Sequence, residues 1–427
     1  MKLIDGSHLS YCTNVHAGEG WDEAFAALRT HVPAVREALR DGAPDEPFGL
    51  GLRLSNDSLG ELEHPAALGA FRAWLNDSGC YVFTINGFPY GPFHGTPVKA
   101  NVYRPDWADA RRLDYTCRLA DIAAALALPG RRITISTLPG TYKPWANGAS
   151  PAIAAHLLDA AAHCLQLQRR TGADIGIAVE PEPCCLLESA DEVCDFFRDW
   201  LHSDAATAHV ARRAAVSLAV AASGIRHHLG VCHDVCHSAV AFEPPLAAIE
   251  RYAQAGVEVM KVQLSSALRL APADASARAA LAAFDEPVYL HQVVVRTADG
   301  ALHRHSDIAA ALAADHALDS EWRVHFHVPV FLDELAAFGT TQAVLGELLD
   351  AHARSPLSTH LEVETYTWDV LPAALRDVPV ATAIARELGW VRDRLTRAGA
   401  PRATESSGTG GSPAQPTKTV SELPRAA

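Results

Sequence analysis

Four polar side chains stand at the ends of short apolar segments, namely Glu180, Asp234, Gln263 and Glu364. A carboxylate at the end of a buried strand is unfavourable unless it is paired or binds a metal ion. Three such carboxylates meeting at one rim would repel one another, and a divalent cation would remove that repulsion. Gln263 could add a neutral carbonyl oxygen. We therefore predict that these four residues bind one divalent ion, which would be Mn²⁺, Mg²⁺ or Zn²⁺.

The same residues allow other interpretations. The carboxylates could form ion pairs, or could cap helices in the loops that follow the strands. Glu182 and Glu362 lie two residues from Glu180 and Glu364, so each would share a face with its neighbour in an extended strand and could be the ligand instead.

A structural zinc site is a further alternative for the segment 232–237. Its cysteines, Cys232 and Cys236, are four residues apart, as are its two histidines. Structural zinc sites take a second ligand pair from elsewhere, and the adjacent Cys184-Cys185 is awkward for tetrahedral geometry. We expect instead that Cys232 packs inside the fold and that His237 faces the same site as Asp234.

A bound divalent ion would act as a Lewis acid on the carbonyl and hydroxyl of a sugar-like substrate. Isomerisation or epimerisation then needs a base beside the carbonyl, which could be Glu180 or Glu364, while His237 and His327 could orient the substrate. Each predicted substrate contact also has a structural alternative, such as an ion pair at the rim or a polar sheet edge. The predicted substrate contacts are Arg53, Asn86, Tyr90, His94, Lys261 and His325.

Eight strand-like segments alternate with alanine- and leucine-rich segments of helical spacing. This alternation predicts a parallel α/β fold, and eight units predict closure into a (β/α)₈ TIM barrel with its site at the C-terminal ends of the strands. A doubly wound sheet is the alternative, but residues 14–20 lack the GxGxxG spacing of a dinucleotide site. The predicted strands are 11–16, 49–55, 81–88, 132–138, 175–182, 228–236, 257–264 and 359–366.

The segment 282–330 does not fit the repeat. Residues 288–295 and 301–305, joined by a turn at 298–300, have the pattern of a β-hairpin, and 322–331 follows as another extended segment. We predict a β-hairpin insertion before the last barrel strand, within one domain of residues 1–398. Residues 399–427 are rich in Gly, Ser, Thr, Pro and Ala, which predicts a disordered C-terminal tail.

The composition of the chain limits the classes of binding partner and the cellular compartment that we expect for the protein. The 427 residues carry a net charge of −14, which disfavours binding to nucleic acid. Apolar stretches fall far short of the roughly 20 residues of a membrane span, and residues 1–8 lack a signal-peptide core. Nine cysteines in a chain of this length do not form a disulfide framework. We expect a soluble, cytoplasmic protein that acts on a small molecule.

The strand ends resemble those of the xylose-isomerase-like superfamily of TIM barrels. Residues 229–237 resemble its sixth-strand signature, in which a ligand Asp is followed three residues later by His. Glu180 is similar to its fifth-strand glutamate, and Gln263 falls where relatives carry His or Gln. Glu364, before Thr365, resembles the ligand of its eighth strand. The resemblance implies a single metal site at these positions.

Segments 9–16, 83–95 and 322–331 resemble the EboE group of bacterial proteins, which are described as metabolite traffic proteins and encoded with partners in the Ebo gene cluster. The resemblance extends to about residue 398. It implies a role in moving or processing a secondary-metabolite precursor, with membrane-bound partners from the same cluster. Apurinic endonucleases of the superfamily carry zinc-binding histidines where this chain has Asn86 and Thr137, which disfavours DNA cleavage.

Two functions are compatible with these patterns. The first is a metal-dependent sugar isomerase or epimerase that acts on a secondary-metabolite precursor. The second is a non-catalytic small-molecule carrier or scaffold in a metabolite export system, in which the barrel holds the ligand and the insertion contacts a partner. The sequence leaves both functions open.

Overall fold

The computed structural model describes residues 1–39, 46–371, 376 and 378–399. Eight parallel strands form its main sheet. They are β1 (His8–Tyr11), β2 (Phe48–Arg53), β3 (Cys80–Asn86), β4 (Arg132–Thr137), β5 (Asp174–Val179), β6 (Leu229–Asp234), β7 (Val259–Leu264) and β14 (His360–Val363). Their spatial order is β1-β14-β7-β6-β5-β4-β3-β2, and a parallel bridge from Cys12 to Gly51 links the two edge strands. The predicted TIM barrel is therefore confirmed.

Most of the helices follow the barrel strands and cover the outside of the barrel, whereas the short helices at 275–281 and 308–312 pack in the core of the insertion. The α-helices are α1 (Trp21–Ala38), α2 (Asn56–Leu62), α3 (Pro65–Ser78), α4 (Ala110–Leu126), α5 (Ser150–Thr171), α6 (Ala190–Phe196), α7 (Asp204–Ala214), α8 (Leu218–His228), α9 (Val235–Val240), α10 (Pro245–Gln254), α11 (Ala275–Leu281), α12 (Ile308–Leu312), α13 (Gln342–Arg354) and α14 (Val380–Gly399). Short 3₁₀ turns span Thr13–Val15, Lys99–Tyr103, Lys143–Trp145, Ala282–Phe284 and Tyr366–Val370, and a π-helical turn spans Phe197–Leu201. None of the described helices is long and apolar enough to cross a membrane.

The insertion between β7 and β14 is a second, antiparallel sheet. Its strands are β8 (Leu268–Leu270), β9 (Val293–Arg296), β10 (Leu302–His305), β11 (Glu321–Val324), β12 (Glu334–Leu335) and β13 (Phe338–Thr340), in the order β10-β9-β11-β8-β13-β12. The predicted hairpin is β9 and β10. The insertion also has its own buried core, which includes Trp322, Phe326 and Phe338. Four of its strands lie outside the predicted hairpin.

Several predicted strand limits were wrong in an informative way. The first strand was expected at 11–16, but β1 ends at Tyr11 and a 3₁₀ turn follows. The fifth was expected to reach 182, but β5 ends at Val179 because Pro181 and Pro183 have no N–H for a ladder hydrogen bond. Glu180 therefore lies just beyond its strand. The predicted tail lies outside the described residues, except for Gly399 at the end of α14.

Candidate metal centre

Three carboxylates from separate strand ends meet inside the C-terminal rim of the barrel. Oxygen atoms of Glu180, Asp234 and Glu364 all lie within 4.8 Å of one another. Each residue is at most 5% exposed. Glu180 Oε2 and Asp234 Oδ2 are buried without a hydrogen-bond partner. A compact set of oxygen donors with two unpartnered atoms suits a hard divalent cation such as Mg²⁺ or Mn²⁺.

The electrostatics of this cluster also favour a cation. Burial, and then the charges of the other two carboxylates, raise the pKa of Glu180 well above its ordinary value. Burial and the charge of Asp234 do the same to the pKa of Glu364. Burial would also raise the pKa of Asp234, but the neighbouring histidines and a hydrogen bond from Ser265 outweigh it and lower that pKa. Without a nearby positive charge, simultaneous ionisation of all three carboxylates is energetically unfavourable.

Amide groups fix the position of Glu364. Asn14 Nδ2 and Asn86 Nδ2 donate to its Oε1 at 2.7 and 3.0 Å, and Gln263 Nε2 donates to its Oε2. Gln263 Oε1 faces away and accepts a hydrogen bond from the Cys232 thiol at 2.8 Å. Gln263 thus lies beside the cluster as predicted, but its N–H groups, not its carbonyl oxygen, face the carboxylates. A 180° rotation of the amide would exchange them.

Three histidines border the carboxylates. Asp234 Oδ1 caps α9 by accepting from the His237 backbone N–H at 3.0 Å, which places the His237 ring beside the site. His325 and His327 follow β11 of the insertion and reach over the rim. The Nε2 atom of His325 lies 3.1 Å from Nε2 of both His237 and His327. The predicted histidines are therefore brought together with the predicted metal ligands.

The segment 232–237 does not form a zinc site of its own. Cys232 packs inside the barrel against Ala178 and Met260, as expected. His233 points the other way, with its ring 6.1 Å from that of Tyr252. Cys232 and His233 therefore lie on opposite faces of β6, as alternating residues of a strand do, whereas Cys236 and His237 belong to α9.

Arg53 does not reach the pocket above the carboxylates. Its guanidinium donates to the carbonyls of Gly18 and Gly91 at 3.1 and 2.9 Å and pairs with Glu19 at 3.0 Å. The side chain leaves the end of β2 between two loops, and all three contacts belong to those loops. Its predicted substrate contact is replaced by a role in holding the loops that follow β1 and β3.

Tyr90 and His94 also lie behind the pocket wall. Tyr90 packs edge-on against Tyr115, with ring centroids 5.1 Å apart. His94 contacts the Asn14 carbonyl through Nε2 at 2.6 Å and the Tyr289 hydroxyl through Nδ1 at 3.1 Å. Since Asn14 and Tyr289 line the pocket, His94 supports lining residues rather than a substrate directly.

Lys261 lies beneath the cluster, inside the barrel. It is fully buried, and its Nζ is 2.6 Å from Glu362 Oε2 and 3.2 Å from Ser136 Oγ. Space for this ion pair comes from Gly51, where an added Cβ would lie 1.7 Å from Glu362 Oε1. Lys261 therefore neutralises Glu362 instead of contacting a substrate, and Glu362 is not available as the alternative metal ligand.

A pocket opens above the carboxylates. Glu180, Glu364, His237 and His325 line it from the barrel side, together with Asn14 and Asn86. Aromatic rings form much of the remaining wall, and the predictions from sequence missed this wall because its members are far apart in the chain. They are Phe88, Phe93, Tyr103, Tyr289 and Tyr366.

The barrel and its rim of carboxylates define a TIM-barrel protein with a candidate metal centre. No family model and no curated protein matches the chain. Similar solved structures include a xylose isomerase-like TIM barrel protein from Mycobacterium smegmatis in complex with magnesium, at 12% identity and TM-score 0.49, over 94% of this chain and 100% of that one.

Two further structures show the same likeness. A xylose isomerase domain protein from Planctomyces limnophilus matches at 14% identity and TM-score 0.48, over 92% of this chain and 95% of that one. The IOLI protein with a bound zinc atom matches at 9% identity and TM-score 0.46, over 91% and 98%. At these values the likeness concerns the fold alone, and the barrel is established by its strand pairing.

Proposed function

We propose that the protein is a metal-dependent isomerase or epimerase that acts on the hydroxy-ketone or sugar-like part of a small molecule. One observation carries the proposal: Glu180, Asp234 and Glu364 converge within 4.8 Å at the base of a lined pocket. Buried carboxylates with unpartnered oxygens are expensive to maintain, so their presence at a pocket base points to chemistry rather than to stability.

A divalent ion at these carboxylates would polarise the carbonyl and hydroxyl oxygens of a substrate. The three amides that bind Glu364 hold it in place, whereas Glu180 Oε2 has no partner. Glu180 is therefore the better placed base. It would take the proton from the carbon beside the carbonyl, and the electron pair would remain on the substrate as an enediolate. Returning the proton to the neighbouring carbon, while the hydroxyl proton passes to the former carbonyl oxygen, completes isomerisation, whereas epimerisation requires a second group that delivers a proton to the opposite face of the same carbon.

The pocket walls favour a substrate with a flat apolar part and no phosphate group. The rings of Phe93, Tyr289 and Tyr366 contact one another at centroid distances of 5.0 to 5.3 Å. Lys99 lies at the pocket and is paired with Asp307 at 2.7 Å. It is the one Lys or Arg among the pocket-lining residues of the described chain. A secondary-metabolite precursor fits this chemistry, and the resemblance to the EboE group supplies the proposed setting in metabolite traffic.

A non-catalytic carrier is the second candidate, and the aromatic wall favours it. Such a wall would retain an apolar ligand whether or not a metal is bound. In this case the insertion would contact a membrane-bound partner from the same gene cluster. Ligand retention and partner capture that survive the Glu180→Gln and Asp234→Asn substitutions would favour the carrier over the enzyme.

The decisive assay for the enzyme is exchange of substrate hydrogen with solvent. The full chain would be loaded with Mn²⁺ or Mg²⁺ and incubated in D₂O with unphosphorylated hydroxy-ketones, and deuterium uptake beside the carbonyl would be followed by NMR. We expect uptake that is lost in Glu180→Gln and after chelation, but kept in His352→Asn, which changes a buried histidine that bonds to Asp5, away from the pocket. Uptake unaffected by chelation would contradict the proposal.

A further inference from the structure

Two asparagines bind the same oxygen of Glu364, but only one of them has a partner for its own carbonyl oxygen. Asn14 Nδ2 and Asn86 Nδ2 donate to Glu364 Oε1 at 2.7 and 3.0 Å. Asn86 Oδ1 accepts the Phe88 backbone N–H at 3.1 Å, so its carbonyl oxygen is paired. Asn14 Oδ1 is buried and has no partner among the described residues. An unpaired buried carbonyl is unfavourable, so its presence in a folded protein requires an explanation.

The surroundings of Asn14 fix both the position and the orientation of its amide. Asn14 lies in the 3₁₀ turn Thr13–Val15 that follows β1, and its backbone carbonyl contacts His94 Nε2 at 2.6 Å. An ionised carboxylate can only accept, so the Asn14 amide turns its N–H group towards Glu364 and its oxygen away from it. Asn14 also lines the pocket above the carboxylates. The unpaired oxygen therefore belongs to a side chain that a bound molecule would contact.

The neighbouring Tyr289, which also lines the pocket, is left with an oxygen that can only accept. Because the Asn14 backbone carbonyl cannot donate, His94 must donate to it through Nε2. Burial lowers the pKa of His94, so the ring is neutral and its Nδ1 carries no hydrogen. The Tyr289 hydroxyl, 3.1 Å from Nδ1, therefore gives its hydrogen to His94. Asn14 and Tyr289 both keep oxygen lone pairs, and these suit a molecule that supplies hydrogens.

We infer that Asn14 is a specificity-determining residue, whose Oδ1 accepts a hydrogen bond from a hydroxyl group of the substrate beside Glu364. The inference rests on the proposed function, because it takes this pocket as the place where the substrate binds. An analogue without that hydroxyl leaves the buried oxygen unpaired, and a site built for a hydroxyl rejects such an analogue strongly. A carboxylate or ether oxygen at the same place would set two acceptors against each other. The pocket thus selects a hydroxyl donor at its Glu364 side.

Affinities for ketoses and their deoxy analogues test this role. The full chain with Mg²⁺ would be titrated by calorimetry with D-fructose, D-xylulose and their monodeoxy analogues. We expect the wild type to bind at least one analogue about tenfold more weakly than its parent, the loss that one unpaired acceptor causes. Asn14→Leu keeps the shape of the side chain without its oxygen and should bind that analogue and its parent equally. A wild type that binds no ketose, equal affinities in the wild type, or unchanged discrimination in Asn14→Leu would overturn the inference.

Asn86→Leu is the matched control for the lost support of Glu364. It removes the other amide that donates to Glu364 Oε1 and leaves Asn14 Oδ1 in place. We expect Asn86→Leu to weaken the binding of every ketose by a similar factor and to keep the discrimination of the wild type. If the control loses the discrimination as well, the effect comes from the position of Glu364 rather than from Asn14 Oδ1, and the inference fails.

A crystal structure of the wild type soaked with the ketose keeps the inference open to refutation if Asn14→Leu does not fold. We expect a ketose hydroxyl oxygen at about 2.5 to 3.0 Å from Asn14 Oδ1. A ketose that is bound at the carboxylates with all of its hydroxyls farther from this oxygen would overturn the inference. Absence of deuterium uptake in the exchange assay would refute the proposed isomerase but leave these affinities measurable, so the two failures are distinguishable.

Discussion

Replacing Glu180 by Gln should stabilise the metal-free protein. At an effective dielectric constant of about 20, two unit charges at the 4.8 Å limit of the cluster repel by about 3 kcal/mol. Keeping Glu180 protonated at pH 7 instead requires about 3 kcal/mol, because the ordinary pKa of a glutamic acid side chain is 4.5. Either route penalises the wild type by about 3 kcal/mol. The new amide removes the charge, keeps the shape and can donate to the neighbouring carboxylates.

Urea unfolding at pH 7, with chelator and then with Mn²⁺, measures this effect. In chelator we expect the free energy of unfolding of Glu180→Gln to exceed that of the wild type by about 3 kcal/mol. At a Mn²⁺ concentration of about 100 times Kd, the wild type should gain about 2.7 kcal/mol and the variant much less. The control is Glu387→Gln, another buried carboxyl, which should leave the gain from Mn²⁺ unchanged. A Glu180→Gln variant that is less stable than the wild type in chelator would refute the reasoning.

Two other predictions concern buried ionisable groups outside the cluster of Glu180, Asp234 and Glu364. Burial raises the pKa of Glu387 to about 7. The folded protein then holds a proton that the unfolded chain releases, so the free energy of unfolding should fall by about 3 kcal/mol as pH rises from 4.5 to above 7. Urea unfolding at a series of pH values should show that Glu387→Gln flattens this dependence. An unchanged pH dependence in the variant would contradict the prediction. Gly51→Ala should destabilise the folded protein by at least about 3 kcal/mol, because the new Cβ would displace Glu362 from Lys261. Thermal melting measures this loss. A melting temperature equal to that of the wild type would show that the space beside Gly51 does not limit the ion pair.

The barrel and the carboxylate positions could be predicted because their signals are local. The barrel strands are short and mostly apolar, Glu180 directly follows the run that ends β5, and Asp234 is the last residue of β6. Parallel strands in a barrel end at the same rim, so topology alone brings their last residues together. The same reasoning failed for Lys261, which was predicted as a substrate contact but pairs with Glu362, a partner that became apparent only from the pairing of β7 and β14.

The strands of the insertion between β7 and β14 were the part of the fold that the sequence predicted least well. Its strands are two to four residues long, too short for alternation to be recognised. The spacing of His325 and His327 predicts a shared face, but their contact with His237 depends on how the second sheet folds over the rim. Arg53 and His94 were misplaced for a related reason, since loop contacts that no periodic pattern encodes decide whether a side chain faces the pocket.

The central claim is that three carboxylates share one ion, and anomalous diffraction from crystals of the full chain soaked in Mn²⁺ tests it most directly. We predict an anomalous peak in contact with oxygen atoms of Glu180, Asp234 and Glu364, lost in crystals of Glu180→Gln. Fully soaked crystals that show no peak at these three residues, with the carboxylates positioned as they are here, would contradict the account.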